Sequence, residues 1–186
     1  MTTEEIKAIL QTCAEENRFC TIRNLAESDE RFLLPLRVED TFYLSAVESE
    51  LHLDGFLIDR TDCADLIIPA GEQSAALAQS LRLTETLRIP DMDISAPNRI
   101  FAWLASSGCA VYLECVHPGR QDVGLFLCTV TDCTPETFDI RCFDTACHWD
   151  GGIRTLPYEA VRRIVFGSGI LRSYEAILPP MPGRKK

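Results

Sequence analysis

Short stretches in which hydrophobic and polar residues alternate recur along the chain of 186 residues. The stretch FYLSAV at residues 42–47 is typical, because its odd and even positions fall on opposite faces of a strand. A few other stretches repeat their apolar residues every three or four positions, as helices do. The pattern therefore predicts a mainly β protein with a small number of helices.

Turn residues divide this pattern into a similar series of elements in each half of the chain. We predict a first helix at 3–16, with Thr3 as its N-cap, a second at 72–83 and a short third at 98–105. The predicted strands lie at 19–25, 32–38, 42–47, 56–58 and 64–68, and then at 109–116, 124–130, 138–143, 153–156, 161–166 and 170–178.

One hairpin signature occurs twice. The segments FYLSAVESELHLDG (42–55) and FDIRCFDTACHWDG (138–151) align without a gap, 96 residues apart. A repeat of this length is typical of duplicated domains rather than of a solenoid. Each Asp-Gly pair is predicted to form the turn that follows a strand. The identical positions are Phe42 and Phe138, His52 and His148, Asp54 and Asp150, and Gly55 and Gly151.

We therefore predict a mainly β (α+β) fold of two tandem small antiparallel barrels, because closing a short sheet removes its exposed edges. The first barrel, with its N-terminal helix, takes residues 1–69, and a helical linker takes 70–96. The second barrel, with its short helix, takes 97–178, and residues 179–186 form a flexible tail.

The second half resembles the Sm-like barrel. The segment GLFLCTV (124–130) looks like the bent second strand of that fold, where the glycine permits the bend. Residues 138–143 look like its third strand, and residues 156–166 look like its closing strands. The likeness covers residues 98–178 well and residues 3–68 more loosely.

The same half also resembles bacterial proteins in which the pattern WD…PYE.I..I.FGS.YL follows such a barrel. RNA-binding Sm-like proteins carry a short glycine-containing motif, basic or polar, between their last strands. This chain has no convincing equivalent at 59–66 or 157–164, so the resemblance implies a fold rather than an activity. The matching pieces are Trp149-Asp150, Pro157-Tyr158-Glu159, Ile164, Phe166-Gly167-Ser168 and Leu171.

Acidic residues are concentrated in the first half of the chain. Residues 1–95 hold 8 Lys and Arg against 19 Asp and Glu, a net charge of −11, whereas residues 96–186 hold 10 against 9, a net charge of +1. A negative surface repels phosphate. RNA binding is therefore disfavoured for the first half and remains possible for the second, where Arg162 and Arg163 are the candidate contacts.

The cysteines and the N-terminus indicate the compartment. Nine cysteines are an odd number, and the polar, acidic N-terminus lacks a signal-peptide pattern. We therefore expect free thiols in a reducing cytoplasm. No apolar run is long enough to span a membrane, so no membrane partner is expected.

The paired His-x-Asp-Gly elements are the first candidate binding residues. His52 with Asp54, and His148 with Asp150, could form equivalent ligand contacts near neutral pH. The same residues also suit a hairpin turn, because glycine tolerates positive φ and aspartate bonds to nearby backbone amides. Trp149 is the best candidate for an exposed aromatic contact, and its alternative role is to cap the end of its own barrel.

The cysteines themselves are predicted to be core residues. A zinc site usually includes a close Cys-x-x-Cys pair, and the sequence has none. In the ungapped alignment Cys142 takes the place of Ala46, as a small buried hydrophobe would. Cys147 and His148 are neighbours and would point to opposite faces of a strand, which is poor geometry for catalysis. We therefore predict no metal, no cofactor and no catalytic residue.

The favoured function is a non-catalytic binding or scaffolding module of the bacterial cytoplasm. A protein partner, or a second copy of the chain, would be recruited through exposed strand edges. RNA binding through the second half is the first alternative. An enzyme or metal protein that uses Cys147 and His148 is the second.

Overall fold

The computed structural model of the chain describes residues 1–24, 29–50, 52–85, 87–116 and 123–182. The chain divides into two compact units, Met1–Ser95 and Ala96–Lys186. Each unit consists of a helix, five strands and a second helix, with antiparallel pairing. The predicted mainly β (α+β) class is confirmed.

The first unit follows the predicted order of elements closely. A short 3₁₀ turn at Thr61–Cys63 separates its last two strands. Its elements are α1 (Thr3–Glu15), β1 (Cys20–Asn24), β2 (Asp29–Val38), β3 (Phe42–Ser49), β4 (His52–Arg60), β5 (Leu66–Pro69) and α2 (Glu72–Ser80).

The second unit repeats this order, again with a 3₁₀ turn, at Tyr158–Ala160, before its last strand. Its elements are α3 (Pro97–Ser107), β6 (Ala110–Val116), β7 (Val123–Cys133), β8 (Thr137–Phe143), β9 (Trp149–Pro157), β10 (Val161–Phe166) and α4 (Gly169–Ile177).

The strands of each unit form an open sheet. Their order is β5-β1-β2-β3-β4 in the first unit and β10-β6-β7-β8-β9 in the second. Within each unit the strands at the two ends of the order do not pair with each other, so the described strands close no barrel. The predicted tandem barrels are therefore wrong. Helices, rather than closure of the sheet, shield the faces of these strands.

Both faces of the first sheet are covered. On β2, the neighbours Leu33 and Leu34 point to opposite faces, and both are fully buried. Helix α1 packs on β2 and buries Leu10. Ala78 of α2 packs in the apolar cluster that contains Leu34. The segment after β5, which the sequence predicted as a linker helix, thus contributes to the core of the first unit.

The N-cap of α1 is Thr2 rather than the predicted Thr3. The Thr2 hydroxyl accepts a hydrogen bond from the Glu5 amide at 3.2 Å, and the Glu5 carboxylate accepts one from the Thr2 amide at 2.8 Å. Each side chain thereby satisfies a backbone donor that the helix itself leaves unpaired.

An aromatic cluster closes the core of the second unit. Phe101 of α3 stacks on Phe138 of β8, with 3.8 Å between the ring centroids. Tyr158 packs against both rings, and its hydroxyl donates to the carbonyl oxygen of Thr134 at 2.6 Å. The 3₁₀ turn is thus held to the turn between β7 and β8.

The last predicted strand, at 170–178, is wrong, because this segment forms helix α4. The Ser168 side chain accepts from the Leu171 amide and caps the helix. Leu171 is buried against the sheet, and Tyr174, three residues later, packs in the same cluster. The apolar residues therefore follow the helical period, which the run of large side chains obscured in the sequence.

The two Asp-Gly pairs lie within strands and not in the predicted turns. In the first unit, Asp54 and Gly55 lie opposite the single residue Val47 of β3. In the second unit, residues 150–152 lie opposite the single residue Cys142 of β8. Both irregularities are β-bulges, in which extra residues on one strand oppose one on its neighbour.

The ladder shifts the repeat alignment by one residue along β3 and β8. In the ladder between β2 and β3, Tyr43 belongs to the pair closest to the turn that joins these strands. Phe138 belongs to the corresponding pair between β7 and β8. Phe138 therefore takes the position of Tyr43 and not of Phe42. Counting along the strands, Cys142 takes the position of Val47, and the two bulges lie at equivalent places.

Equivalent bulge glycines give a matched test of this assignment. Gly55 has a φ of 83°, whereas Gly151 is not among the described glycines with positive φ and has open space where a Cβ would lie. We expect Gly55→Ala to lower the free energy of unfolding by about 1–2 kcal/mol, because an L side chain is strained there. Gly151→Ala should leave it unchanged or raise it by up to about 1 kcal/mol.

Urea denaturation of the two single variants measures both effects. Equal losses in the two variants would show that the bulges share one backbone conformation, contrary to the structure.

Candidate functional site

A cleft in the second unit collects three of the residues that the sequence singled out. Its volume is about 240 Å³, and it lies where β8 ends, the chain reverses and β9 begins. His148, Trp149 and Asp150 were predicted as binding residues, and the remaining lining residues were not. The full lining is Cys142, Phe143, Asp144, His148, Trp149 and Asp150.

Asp144 organises the reversal between β8 and β9. One of its carboxylate oxygens accepts hydrogen bonds from the amides of Ala146 and His148, both at 2.9 Å. The other lies 3.4 Å from Nδ1 of His148, whose side chain is 79% exposed. The amide of His148, chiefly, holds the pKa of Asp144 below its usual range, so this carboxylate is ionised near neutral pH.

Cys147 lies in this turn, and not on a strand as the argument about its geometry with His148 assumed. Its φ is 64°, a left-handed conformation that is rare for a residue with a side chain. The argument that Cys147 and His148 alternate across a strand is therefore wrong. The partner of His148 is Asp144, and the contact braces a turn.

Asp150 is held by an ion pair within its own strand. Its carboxylate accepts from Arg154 at 2.7 Å and from the amide of Gly151 at 3.0 Å. The Arg154 guanidinium, more than the amide, lowers the pKa of Asp150. The same guanidinium lies 5.7 Å from the ring centroid of Phe126. Asp150 is thus exposed but already engaged by a cation.

Trp149 fastens the end of the described chain to the sheet. Its indole Nε1 donates to the carbonyl oxygen of Pro179 at 2.8 Å, just beyond α4. Its ring meets Phe143 edge-on, with 5.5 Å between centroids, and Phe143 in turn contacts Tyr174 of α4. Only part of the ring remains exposed. These contacts support the structural role of Trp149.

The matching residues of the first unit lie in different surroundings. His52 is exposed, and its Nδ1 lies 3.5 Å from the carbonyl oxygen of Glu50. Asp54 is half-buried in its bulge. His52 and His148 both follow the chain reversal directly, but the surroundings of the two histidines differ.

Arg162 and Arg163 are buried within β10. Each is 7% exposed. The guanidinium of Arg163 lies 3.0 Å from both carboxylate oxygens of Glu114 on β6. Burial, and then the neighbouring Arg163, lowers the pKa of Arg162. Neither arginine presents the exposed cation that an RNA phosphate would contact.

The nine cysteines are all free thiols, five of them buried. Burial raises the pKa of Cys142, which lines the cleft, and also that of Cys128, its partner on the neighbouring strand. No group of three or more His, Cys, Asp or Glu side chains in the described ranges is placed to hold a metal ion.

Two residues that matter here were missed from the sequence, Asp144 and Arg154. Asp144 lies four residues before His148, a spacing that allows one carboxylate to cap a tight turn. Arg154 lies four residues after Asp150, but their ion pair depends on the bulge between them. The first contact could have been found from the sequence, whereas the second required the strand register.

The cleft combines two ionised carboxylates, an exposed imidazole and a pinned indole. The carboxylates are occupied by backbone amides or by Arg154, which suits a rigid surface feature.

No helix in the described parts of the chain is long and apolar enough to cross a membrane. Comparison with family models, with curated proteins and with solved structures found no match for this chain.

The indole hydrogen bond is testable with Trp149→Phe. We expect the free energy of unfolding to fall by about 1 kcal/mol, because the Pro179 carbonyl loses its donor. Amide hydrogen exchange at Leu178 and Met181, the two residues of 178–182 that carry a backbone N–H, should accelerate. Trp103→Phe, on α3, is the control and should leave exchange in that segment unchanged. Equal acceleration in both variants would contradict the pinning role of Trp149.

The Asp144 turn predicts a pH dependence. Because its folded pKa is depressed, Asp144 stabilises the protein above its unfolded pKa, and this contribution is lost as the pH falls through the folded pKa. In Asp144→Asn that part of the dependence should be missing. Unfolding measured in urea between neutral and acidic pH checks this, and parallel curves for wild type and variant would refute it.

Proposed function

We propose that this protein is a non-catalytic binding module that recruits an extended segment of a partner protein to the free edge of β9. The proposal is supported chiefly by the exposed edge that β9 offers. β9 is the last strand in its order, with β8 as its single neighbour in the described chain. Residues 150–155 of β9 are exposed.

The register of the sheet identifies which backbone groups face outward. The Asp144 amide donates to the His148 carbonyl oxygen, so the neighbouring pair Phe143 and Trp149 shares no direct backbone hydrogen bonds. Successive residues of a strand direct their backbone N–H and C=O groups alternately to the strand on one side and to the strand on the other. It follows that Ile140 and Arg154 are bonded to each other.

Ile153 and Thr155 therefore direct their N–H and C=O groups away from β8. Their side chains leave the edge accessible, because Ile153 is 56% exposed and the Thr155 hydroxyl is turned back to the Asp139 carboxylate at 2.6 Å. An added strand would bond to these groups as a further antiparallel or parallel neighbour. An apolar side chain beside Ile153 would bury its exposed surface.

The rest of β9 is protected against non-specific pairing. On one side the bulge at 150–152 breaks the ladder, and the Asp150–Arg154 ion pair places charge beside it. On the other side Pro157 lacks a donor. Only a short window is left for pairing, which favours a selective partner over indiscriminate aggregation.

Other features of the proposal rest on the sequence. The nine free thiols support a location in a reducing cytoplasm. RNA binding is the weaker alternative, because Arg162 and Arg163 are buried. A Cys147–His148 enzyme is weaker still, because His148 is engaged with the Asp144 turn.

A single outward amide provides the test. Thr155→Pro removes an N–H that does not bond to β8, whereas Thr155→Val removes only the hydroxyl. We expect a partner retained from native lysate by wild type and Thr155→Val to bind Thr155→Pro at least tenfold more weakly. Circular dichroism checks that all three proteins are folded.

Hydrogen exchange on the isolated complex locates the contact. The amides of Ile153 and Thr155 should exchange quickly in the free protein and slowly in the complex. The amide of Arg154 should be protected in both states. A partner that binds Thr155→Pro as tightly as wild type, or that leaves the Ile153 and Thr155 amides unprotected, would refute strand addition at β9. Loss of retention on nuclease treatment would favour RNA.

A further inference from the structure

Two cysteines of the second unit face each other across adjacent strands. Cys128 of β7 and Cys142 of β8 are direct partners in the antiparallel ladder. Side chains of directly opposed residues project from the same face of a sheet. Cys128 is 0% exposed and Cys142 is 9% exposed, so the pair lies at the boundary between core and cleft.

The ladder places these thiols in the closer of the two kinds of antiparallel pair. The Asp144–His148 bond implies that the backbone N–H and C=O groups of Phe143 point to β7. Those of its neighbour Cys142 therefore point to β9. Cys128 and Cys142 are therefore a pair without mutual backbone hydrogen bonds. The Cα atoms of such pairs lie about 4.5 Å apart, within the range of about 4.4–6.8 Å that a disulfide requires.

The bulge in β9 gives this pair an entrance. Residues 150–152 lie opposite Cys142, and nothing lies within 4 Å of a Cβ built on Gly151 or Gly152. Cys142 forms part of the wall of the 240 Å³ cleft. A small thiol reagent can therefore approach Cys142, whereas Cys128 is fully buried and does not line the cleft.

We propose that Cys128 and Cys142 form a reversible cross-strand disulfide by exchange with low-molecular-weight disulfides. The Cys142 thiolate attacks one sulfur of the reagent, breaks its S–S bond and releases one thiol. The Cys128 thiolate then attacks the Cys142 sulfur of the mixed disulfide and releases the second thiol. Both cysteines are oxidised by one electron each, and the reagent receives two electrons and two protons.

The equivalent position in the first unit shows what the pair replaces. Leu33 and Val47 are partners there, opposite the bulge at Asp54 and Gly55. An apolar pair thus satisfies the packing at this position. Cys142→Val reproduces the first-unit residue and removes one sulfur, which makes it a conservative test variant.

The experiment uses the full chain with oxidised glutathione at about pH 8.5, since thiolates carry out the exchange and burial raises the pKa of both thiols. After acid quenching and alkylation, peptide mapping should find one linkage, between the peptides that hold Cys128 and Cys142. Dithiothreitol should restore both thiols. The oxidised protein should melt at a higher temperature, because the link ties β7 to β8.

Two variants keep the result decisive. Cys142→Val should lose the linkage and the rise in melting temperature. Cys147→Ser removes the thiol of the adjacent turn and should keep both. If the folded protein forms only glutathione adducts, or a disulfide that joins other cysteines such as Cys13 and Cys20, the proposal is wrong. The β9-edge function is unaffected by that result, because it is tested by partner binding.

Discussion

The bulged ladder between β8 and β9 is the constraint on which the chemistry of the second unit depends. Three residues of β9 oppose one residue of β8, so β9 bends away from β8 beside Cys142. This displacement opens the cleft, brings Arg154 to Asp150 and leaves the outward amides of Ile153 and Thr155 on a regular stretch of edge. A hairpin without the bulge would change which residues of β9 face outward.

In each unit, helices cover the sheet and so bury the apolar side chains of its strands. Because α1 and α2 shield one sheet, and α3 and α4 the other, side chains on either face of a strand can be apolar. Open sheets thereby bury a core without closing into barrels. The second helix of each unit adds apolar contacts to it, through Ala78 of α2 and through Leu171 and Tyr174 of α4. In the second unit, Trp149 and Glu175 hold α4 to the sheet through the Pro179 carbonyl and the Ala110 amide.

Charged residues that suggested ligand binding are engaged within the protein. Glu114 neutralises the buried Arg163, Arg154 pairs with Asp150, and Asp144 accepts the amides of its own turn. The second unit also exposes backbone at the β9 edge, and its cleft gives a route to one thiol pair. These two features require shape and register rather than charge, which is consistent with recognition of a protein segment.

The amino-acid sequence by itself determined the class and most element positions. The alternation at 42–47 and at 138–143 specifies strands, and the matched histidines mark equivalent points after each reversal, because these signals are local. Sequence patterns failed where distant contacts decide. Residues 169–177 form helix α4, whose Leu171 packs on the sheet, and the Asp-Gly pairs became bulges because the partner strands impose their register. Only the tertiary structure could place Cys128 opposite Cys142, because strand pairing brings together residues that are remote along the chain.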